Sequence, residues 1–182
     1  AAVREQVRRS EVATRTVRLP TTLTASQVVA LRTDQQAFLS HLVRPMPQRP
    51  SRAADRGTAF HTWVEDFYGR RALLDIDSLA GASDDEVYSD DELEALKHAF
   101  QAGPFAQRTP LSMEASFVIV VAGRPWRGRV DAVFTGTLAD PGATGRWLVV
   151  DWKTGPVGSA DPVQLDIYRH AWAQQQQVDV DT

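Results

Sequence analysis

The 182-residue sequence contains no cysteine. That excludes a disulfide framework, a thiol nucleophile, and any zinc ion or iron–sulfur cluster held by cysteine. Lysine is scarce as well. Of 20 basic residues only Lys97 and Lys153 are lysine and the rest are arginine, which reads mainly as the coding bias of a GC-rich genome and makes each lysine conspicuous. No apolar run approaches the roughly 20 residues needed to span a bilayer. The first eighteen residues, Ala1 to Arg18, are charged throughout and lack the apolar centre of a signal peptide. A cytoplasmic location without membrane contact is therefore the expectation. The chain does not begin with Met, as expected of a domain belonging to a larger chain.

A strong net charge is also missing. At −3, the whole chain gives no global reason to expect a polyanionic partner. The average hides a gradient, however. Residues 1–56 hold ten arginines and four acids, residues 57–99 three basic residues and eleven acids, and residues 100–182 seven and eight. Fields act locally, because salt screens them within about 8–10 Å, so a basic N-terminal third beside an acidic middle is a feature in its own right.

What is present is a chain with 43% hydrophobic residues and room for one core. Residues 1–20 lack a clear period and read as an arm or linker, and residues 21–182 as a single domain. Thr24-Ala25-Ser26-Gln27 has the form of a capping box opening a helix over Val28, Val29 and Leu31. Thr33 is the expected cap of a second helix with Phe38, Leu39 and Leu42. Three prolines between Arg44 and Pro50 make a loop. Thr58 to Arg70 predicts a helix through Phe60, Val64, Phe67 and Tyr68; an acidic stretch from Asp75 to Glu94 leads into another through Leu93, Leu96 and Phe100. From Met113 the period changes to two. Ala115–Val121, Trp126–Phe134 and Arg146–Trp152 read as strands, separated by Gly123-Arg124-Pro125 and by a loop from Gly136 to Gly145. Asp161–Gln174 returns to helix. There is no internal repeat. The order gives a mixed α/β domain whose sheet starts as a meander.

Two carboxylates stand out on this frame. Asp131 lies in the second predicted strand between Val130 and Ala132, where an unpaired carboxylate is costly to bury and a hard divalent cation is a good partner. Asp151 closes the third strand, and period-two geometry puts Lys153 on its face. An ammonium beside a metal-bound carboxylate holds a water nucleophile or offsets charge on a phosphate; a plain Asp151–Lys153 ion pair before a Gly-Pro turn explains the same residues. His61, in the first turn of the Thr58–Arg70 helix after Gly57, is either a ligand or an ordinary helix histidine. Gln164 and Tyr168 stand four apart on one helix face, as polar site residues or as ordinary surface.

Taken in order, Gly57-Thr58-x-x-His61, Gly128-Arg129-x-Asp131, Asp151-x-Lys153-Thr154-Gly155 and Gln164-x-x-x-Tyr168 resemble the RecB-family nuclease domain. This is a branch of the PD-(D/E)xK phosphodiesterases, found at the C-termini of helicase–nucleases of the RecBCD, AddAB and AdnAB kinds. Leu23-Thr24-Ala25-Ser26 resembles the family's opening Leu-Ser-x-Ser motif, with Thr for the first Ser. The resemblance covers about residues 23–173. It implies a restriction-endonuclease-like core, a central mixed sheet flanked by helices. It also implies Mg²⁺ or Mn²⁺ held by His61, Asp131, Asp151 and the Trp152 carbonyl, with Glu114 a weaker candidate ligand. Lys153 would position or activate the attacking water, and Gln164 and Tyr168 would steady the site and the DNA. A neutral His61 would make metal binding weaken as pH falls.

The implied function is hydrolysis of single-stranded DNA ends at double-strand breaks, fed by a helicase motor. No Walker A pattern occurs here, so that motor would lie elsewhere in the parent chain or in a partner subunit. Relatives that carry four cysteines around a cluster differ from this chain, which has none. The family pattern continues with another strand, which Val178-Asp179-Val180 is expected to begin, so the domain reads as clipped at its C-terminus. The alternatives are a catalytically silent scaffold or DNA-binding domain of the same fold and a stand-alone exonuclease.

Overall fold

A computed structural model describes residues 16–46, 51–74 and 91–180. Most of the expected arm, the Pro47–Pro50 end of the proline loop and the acidic residues 75–90 fall outside these.

The first ordered turn follows the capping-box reading. After the two-residue strand β1 (Leu23–Thr24), helix α1 (Ala25–Thr33) begins where Gln27 N–H donates to Thr24 Oγ1 at 3.1 Å and Thr24 N–H donates to Gln27 Oε1 at 2.9 Å. Two otherwise orphaned donors are satisfied reciprocally. The next cap is Asp34, not Thr33. Asp34 Oδ1 accepts from Ala37 N–H at 2.8 Å and opens α2 (Gln35–Val43). Thr33 ends α1, its hydroxyl turned back onto the Val29 carbonyl at 2.9 Å. Both residue types cap well; the one immediately before the helix took the role.

Helix α3 runs from Arg52 to Leu74, six residues earlier than the apolar pattern alone marks. Ser51 Oγ accepts from Ala54 N–H at 3.2 Å at its start. Gly57 therefore lies inside the helix and His61 in its third turn, not its first. Helix α4 (Asp91–Ala102) carries Asp91, Glu92 and Glu94 in its first turn, where they offset the positive end of the helix dipole.

The sheet is organised around β3 (Arg124–Thr135). Along one edge it pairs antiparallel with β2 (Ser112–Val121), from Ser112 opposite Val133 to Val121 opposite Arg124. The other edge is shared. β1 lies parallel at Trp126 and Arg127, and β4 (Trp147–Val150) lies antiparallel at Ala132 to Thr135. The meander β2–β3–β4 is as expected, and β1 makes the sheet mixed. The β2–β3 hairpin turns on Ala122 and Gly123, both at positive φ (50° and 72°), the two-residue turn whose twist matches paired strands. Arg124 and Pro125, expected as a separator, are already in β3. Helix α5 (Pro162–Gln176) is capped by Asp161, whose Oδ1 accepts from Val163 N–H at 2.8 Å. Val178-Asp179-Val180 forms no strand.

Two cores sandwich the sheet. On one side Ile167, Tyr168, Ala171 and Trp172 of α5 pack on Phe117, Ile119, Val130 and Val133. On the other, Phe60, Val64 and Tyr68 of α3 and Phe100 of α4 pack on Ala132, Phe134 and Val150. Burying each such side chain contributes about 1.5–3 kcal/mol. Phe100 sits at the centre of an aromatic cluster, its ring 5.5–6.2 Å from those of Phe60, Trp63, Phe67, Tyr68 and Trp152. Along β3, residues 132, 133 and 134 alternate between the cores as a strand must. The alternation slips between Val130 and Ala132, which belong to different cores although two apart. The residue between them is Asp131.

Candidate metal and phosphodiester site

Asp131 stands at that slip. Opposite it in the β2–β3 register is Glu114, whose φ of +50° is unusual for a residue inside a strand. Such a backbone costs about 1–3 kcal/mol and persists only where the surroundings enforce it, which is typical of functional sites. The two central strands thus distort where their carboxylates meet.

Helix α3 brings His61 over this point, its Nδ1 3.5 Å from Asp131 Oδ2. One ligand atom each from His61, Glu114 and Asp131 lies within 4.8 Å of the others. None of the three side chains is fully exposed; that of Asp131 is 13% accessible. Asp131 Oδ2 also accepts from the Trp152 backbone N–H at 2.8 Å, which fixes the chain leaving β4 against β3. Just before Trp152, the buried carboxylate of Asp151 is closed onto Lys153, with Nζ 2.6 Å from Oδ2. The chain has left the ladder at Val150, so this pairing arises in the segment after the strand and not from strand alternation. From α5, Gln164 Nε2 donates to the Tyr168 hydroxyl at 2.6 Å.

The site's electrostatics are those of an acid-rich, partly desolvated cluster. Burial holds the Asp131 carboxyl above its ordinary range; the His61 side chain and the Trp152 N–H pull the other way, and the Asp151 charge adds to the rise. Burial raises Glu114 too, opposed by Arg129 and reinforced by Glu65 and Asp131. The Tyr168 hydroxyl is pushed up by burial, with Gln164 opposing and Asp151, Asp131 and Glu114 adding to the rise. Ionised carboxylates are thus disfavoured here in the absence of a counter-charge. Two carboxylates and an imidazole in ligand distance of one another are hard donors, and a divalent cation relieves their repulsion. The residues fit the metal that the resemblance implies.

Every sequence-predicted residue therefore converges on one region, though not in one ring. His61, Asp131 and Glu114 gather most tightly, Asp151 is held by Lys153 beside them, and Gln164 with Tyr168 closes the α5 side. Two participants had no role assigned from the sequence, Arg129 of the second motif and Glu65. Arg129 forms an ion pair with Glu114. Glu65, one helical turn beyond His61, hydrogen-bonds the Glu114 side chain. The i, i+4 spacing of His61 and Glu65 was the available signal. Around them, an added Cβ at Gly57 of the first motif would come within 3.2 Å of Thr154 Oγ1 of the third, so the two motifs are in direct apposition.

No curated protein matches the chain significantly. The profile of the PD-(D/E)XK nuclease superfamily matches residues 22–181, which takes in every element from β1 to α5. The mixed sheet flanked by helices, with an Asp-x-Lys segment leaving β4 beside an Asp on β3, fits that assignment. The chain belongs to the PD-(D/E)XK nuclease superfamily.

Proposed function

We propose that this domain is a deoxyribonuclease dependent on Mg²⁺ or Mn²⁺ that hydrolyses phosphodiester bonds of single-stranded DNA. In the parent assembly it is the cytoplasmic nuclease module of a helicase–nuclease processing double-strand-break ends, with the motor in the same parent chain or a partner subunit. The observation that carries the reading is the close set of His61, Glu114 and Asp131 beside the Asp151–Lys153 pair. No helix among the described residues is long and apolar enough to cross a membrane.

His61, Asp131 and Asp151 would hold the ion, with Glu114 and the Trp152 carbonyl as further oxygen donors. A bound divalent ion would supply positive charge and lower the acidity barrier of the attacking water near neutral pH. Lys153, its Nζ 2.6 Å from Asp151 Oδ2, orients the attacking water and offsets negative charge growing on the phosphate. The Trp152 N–H holds the Asp131 carboxylate in one orientation beside His61. Gln164 fixes the Tyr168 hydroxyl, so both polar groups are set against the strand before it arrives. A net-acidic chain is then no obstacle to a nucleic-acid substrate, because the ion inverts the local charge.

The test is cleavage of a labelled single strand with Mg²⁺ or Mn²⁺, repeated with Asp151→Ala and Lys153→Ala. Both variants should lose cleavage. Undiminished cleavage by Asp151→Ala would overturn the site, and calorimetric titration with Mn²⁺ should lose its binding heat in Asp131→Ala.

A further inference from the structure

Beside the acidic cluster, a groove of about 640 Å³ runs between α3 and the segment that leads into β2. Its near end is lined by Glu65 and Glu114 of the cluster, its far end by Arg71 and Arg108. Six residues of helix separate Glu65 from Arg71, a rise of about 9 Å. We infer that this groove is a subsite for the nucleic-acid strand flanking the scissile phosphate, with Arg71 and Arg108 gripping a backbone phosphate a few nucleotides from the metal end. The inference rests on the nuclease reading for the identity of the strand.

Three independent features support it. The first is charge order along the groove. A polyanion with one phosphate at the metal end needs positive charge further along, and two guanidinium groups are there. Each has a structural anchor that fixes it without neutralising it. Arg71 donates to the Ala106 carbonyl, and Arg108 donates to the carbonyls of Thr137 at 3.0 Å and Thr135 at 2.5 Å. Those bonds use one and two of the five N–H donors that each guanidinium carries. Among the described residues neither forms an ion pair with a carboxylate; Arg71 lies over the Phe67 ring and Arg108 over that of Phe134, and both line the groove.

The second feature is Gly69, in the groove wall between Tyr68 and Arg71. Glycine inside a helix costs about 1 kcal/mol relative to alanine. Packing does not require it, because an added Cβ would meet nothing within 4 Å. Gly69 lines the groove, and its missing side chain leaves that stretch of the wall open. The third feature is the opposite wall, where Leu111 is 54% exposed, an apolar surface suited to sugar and base faces beside the phosphate track.

The experiment titrates the protein into a short 5′-labelled oligothymidylate in EDTA and reads anisotropy, with thermal melts of each variant alongside. Gly69→Trp fills the groove without removing any contact and should bind about tenfold more weakly, as should Arg71→Gln on loss of one charge-assisted contact. Arg71→Gln should also reduce the slope of log affinity against log salt by about 0.7. Arg108→Gln also loses its loop contacts, so Gly69→Trp is the decisive variant. A folded Gly69→Trp protein that binds as tightly as the parent overturns the subsite.

Cleavage separates this outcome from failure of the nuclease reading. For Gly69→Trp, hydrolysis of the oligonucleotide should fall at least about tenfold further than hydrolysis of thymidine 5′-p-nitrophenyl phosphate, which is too short to reach Arg71. Equal losses on both substrates count against the subsite. For Asp151→Ala both activities should vanish together. If Asp151→Ala still cleaves while Gly69→Trp binds weakly, the catalytic assignment fails and the groove stands.

Discussion

The Trp152 backbone N–H donates to Asp131 Oδ2 across 2.8 Å, so the site's central carboxylate is also the tie between β3 and the segment leaving β4. Asp131 therefore carries two duties that one substitution separates. Asparagine keeps an oxygen that accepts from Trp152, whereas alanine leaves that donor unpaired at a cost of about 1–3 kcal/mol. In EDTA, Asp131→Ala should melt well below the parent, by about 2–4 °C for each kcal/mol lost.

Asp131→Asn should behave in the opposite way. Burial raises the Asp131 carboxyl above its ordinary value, so in the folded protein it holds its proton more tightly than in the unfolded chain. Stability from such a group is complete below the ordinary carboxylate range and is lost as pH rises through the raised value. In metal-free protein this group's contribution should thus be smaller at pH 7 than at the lower edge of the ordinary carboxylate range. Asp131→Asn should flatten that dependence and melt about 2–4 °C higher at pH 7, the shift for about 1 kcal/mol in a chain of this size. Added Mn²⁺ should raise the melting temperature of the parent alone, because only a protein that binds the ion gains by mass action. Melting curves in EDTA from the ordinary carboxylate range up to pH 8, and in Mn²⁺ near neutral pH, check all three points.

Lys153 separates chemistry from folding. Its side chain is 37% exposed and, among the described residues, its one ion-pair partner is Asp151, so truncation should leave the fold intact. Lys153→Ala should reduce single-turnover cleavage by about 10²–10³-fold, the usual loss when one positioned charge is removed from a developing anion. Mn²⁺ affinity should change far less, since the lysine is no ligand. Gln164→Ala should cost about tenfold, because the Tyr168 hydroxyl stays in place and loses only its fixed orientation.

Tyr68 predicts a base-sensitive core. Its hydroxyl donates to the Phe105 carbonyl at 2.8 Å, and burial, opposed by Arg71 and Arg108, pushes it up to about 12. The contribution is complete below pH 10 and is lost as pH rises through about 12. An ultraviolet titration should show a tyrosine phase near pH 12 that Tyr68→Phe removes, while the raised Tyr168 remains in both proteins. At neutral pH the same variant should lose about 1 kcal/mol for the missing hydrogen bond.

Local rules carried most of the frame, and tertiary placement decided the rest. The Thr24–Gln27 capping box, the Asp161-Pro162 helix start and the alternation around Phe117 and Ile119 are determined within a few residues, and each was legible. Where two adjacent residues were competent, as with Thr33 and Asp34, pattern alone chose wrongly. The start of α3 was missed because Gly57 reads as a breaker; only the packing of the helix against Thr154 explains a glycine inside it. The parallel pairing of β1 was illegible because two residues carry no period. In the site, the residues singled out in the sequence lie in one region, but which of them group most tightly was not legible. Sequence order pairs Asp151 with Asp131, whereas the left-handed turn at Glu114 and the reach of α3 bring Glu114 and Glu65 to the centre.

Gly128 tests how far the site depends on the core beneath it. A Cβ at this position would lie 2.5 Å from Phe117 Cζ and 2.8 Å from its Cε1, closer than side-chain carbons approach. The ring must then move, and it is not free to do so without consequence. Phe117 packs edge-on against Tyr168 at 5.6 Å between centroids, and Tyr168 carries the hydroxyl that Gln164 holds. Gly128→Ala should therefore lose about 1–3 kcal/mol through overpacking. It should also lower cleavage at temperatures where the protein remains folded, although residue 128 touches no proposed ligand. Mn²⁺ affinity separates the routes. Displacement through Phe117 and Tyr168 leaves it near the parent value, whereas a disturbance passing along β3 to Asp131 weakens it. Phe117→Leu in the same chain removes the clashing ring edge, and recovery of stability in the double variant would identify the ring as the element that transmits the change.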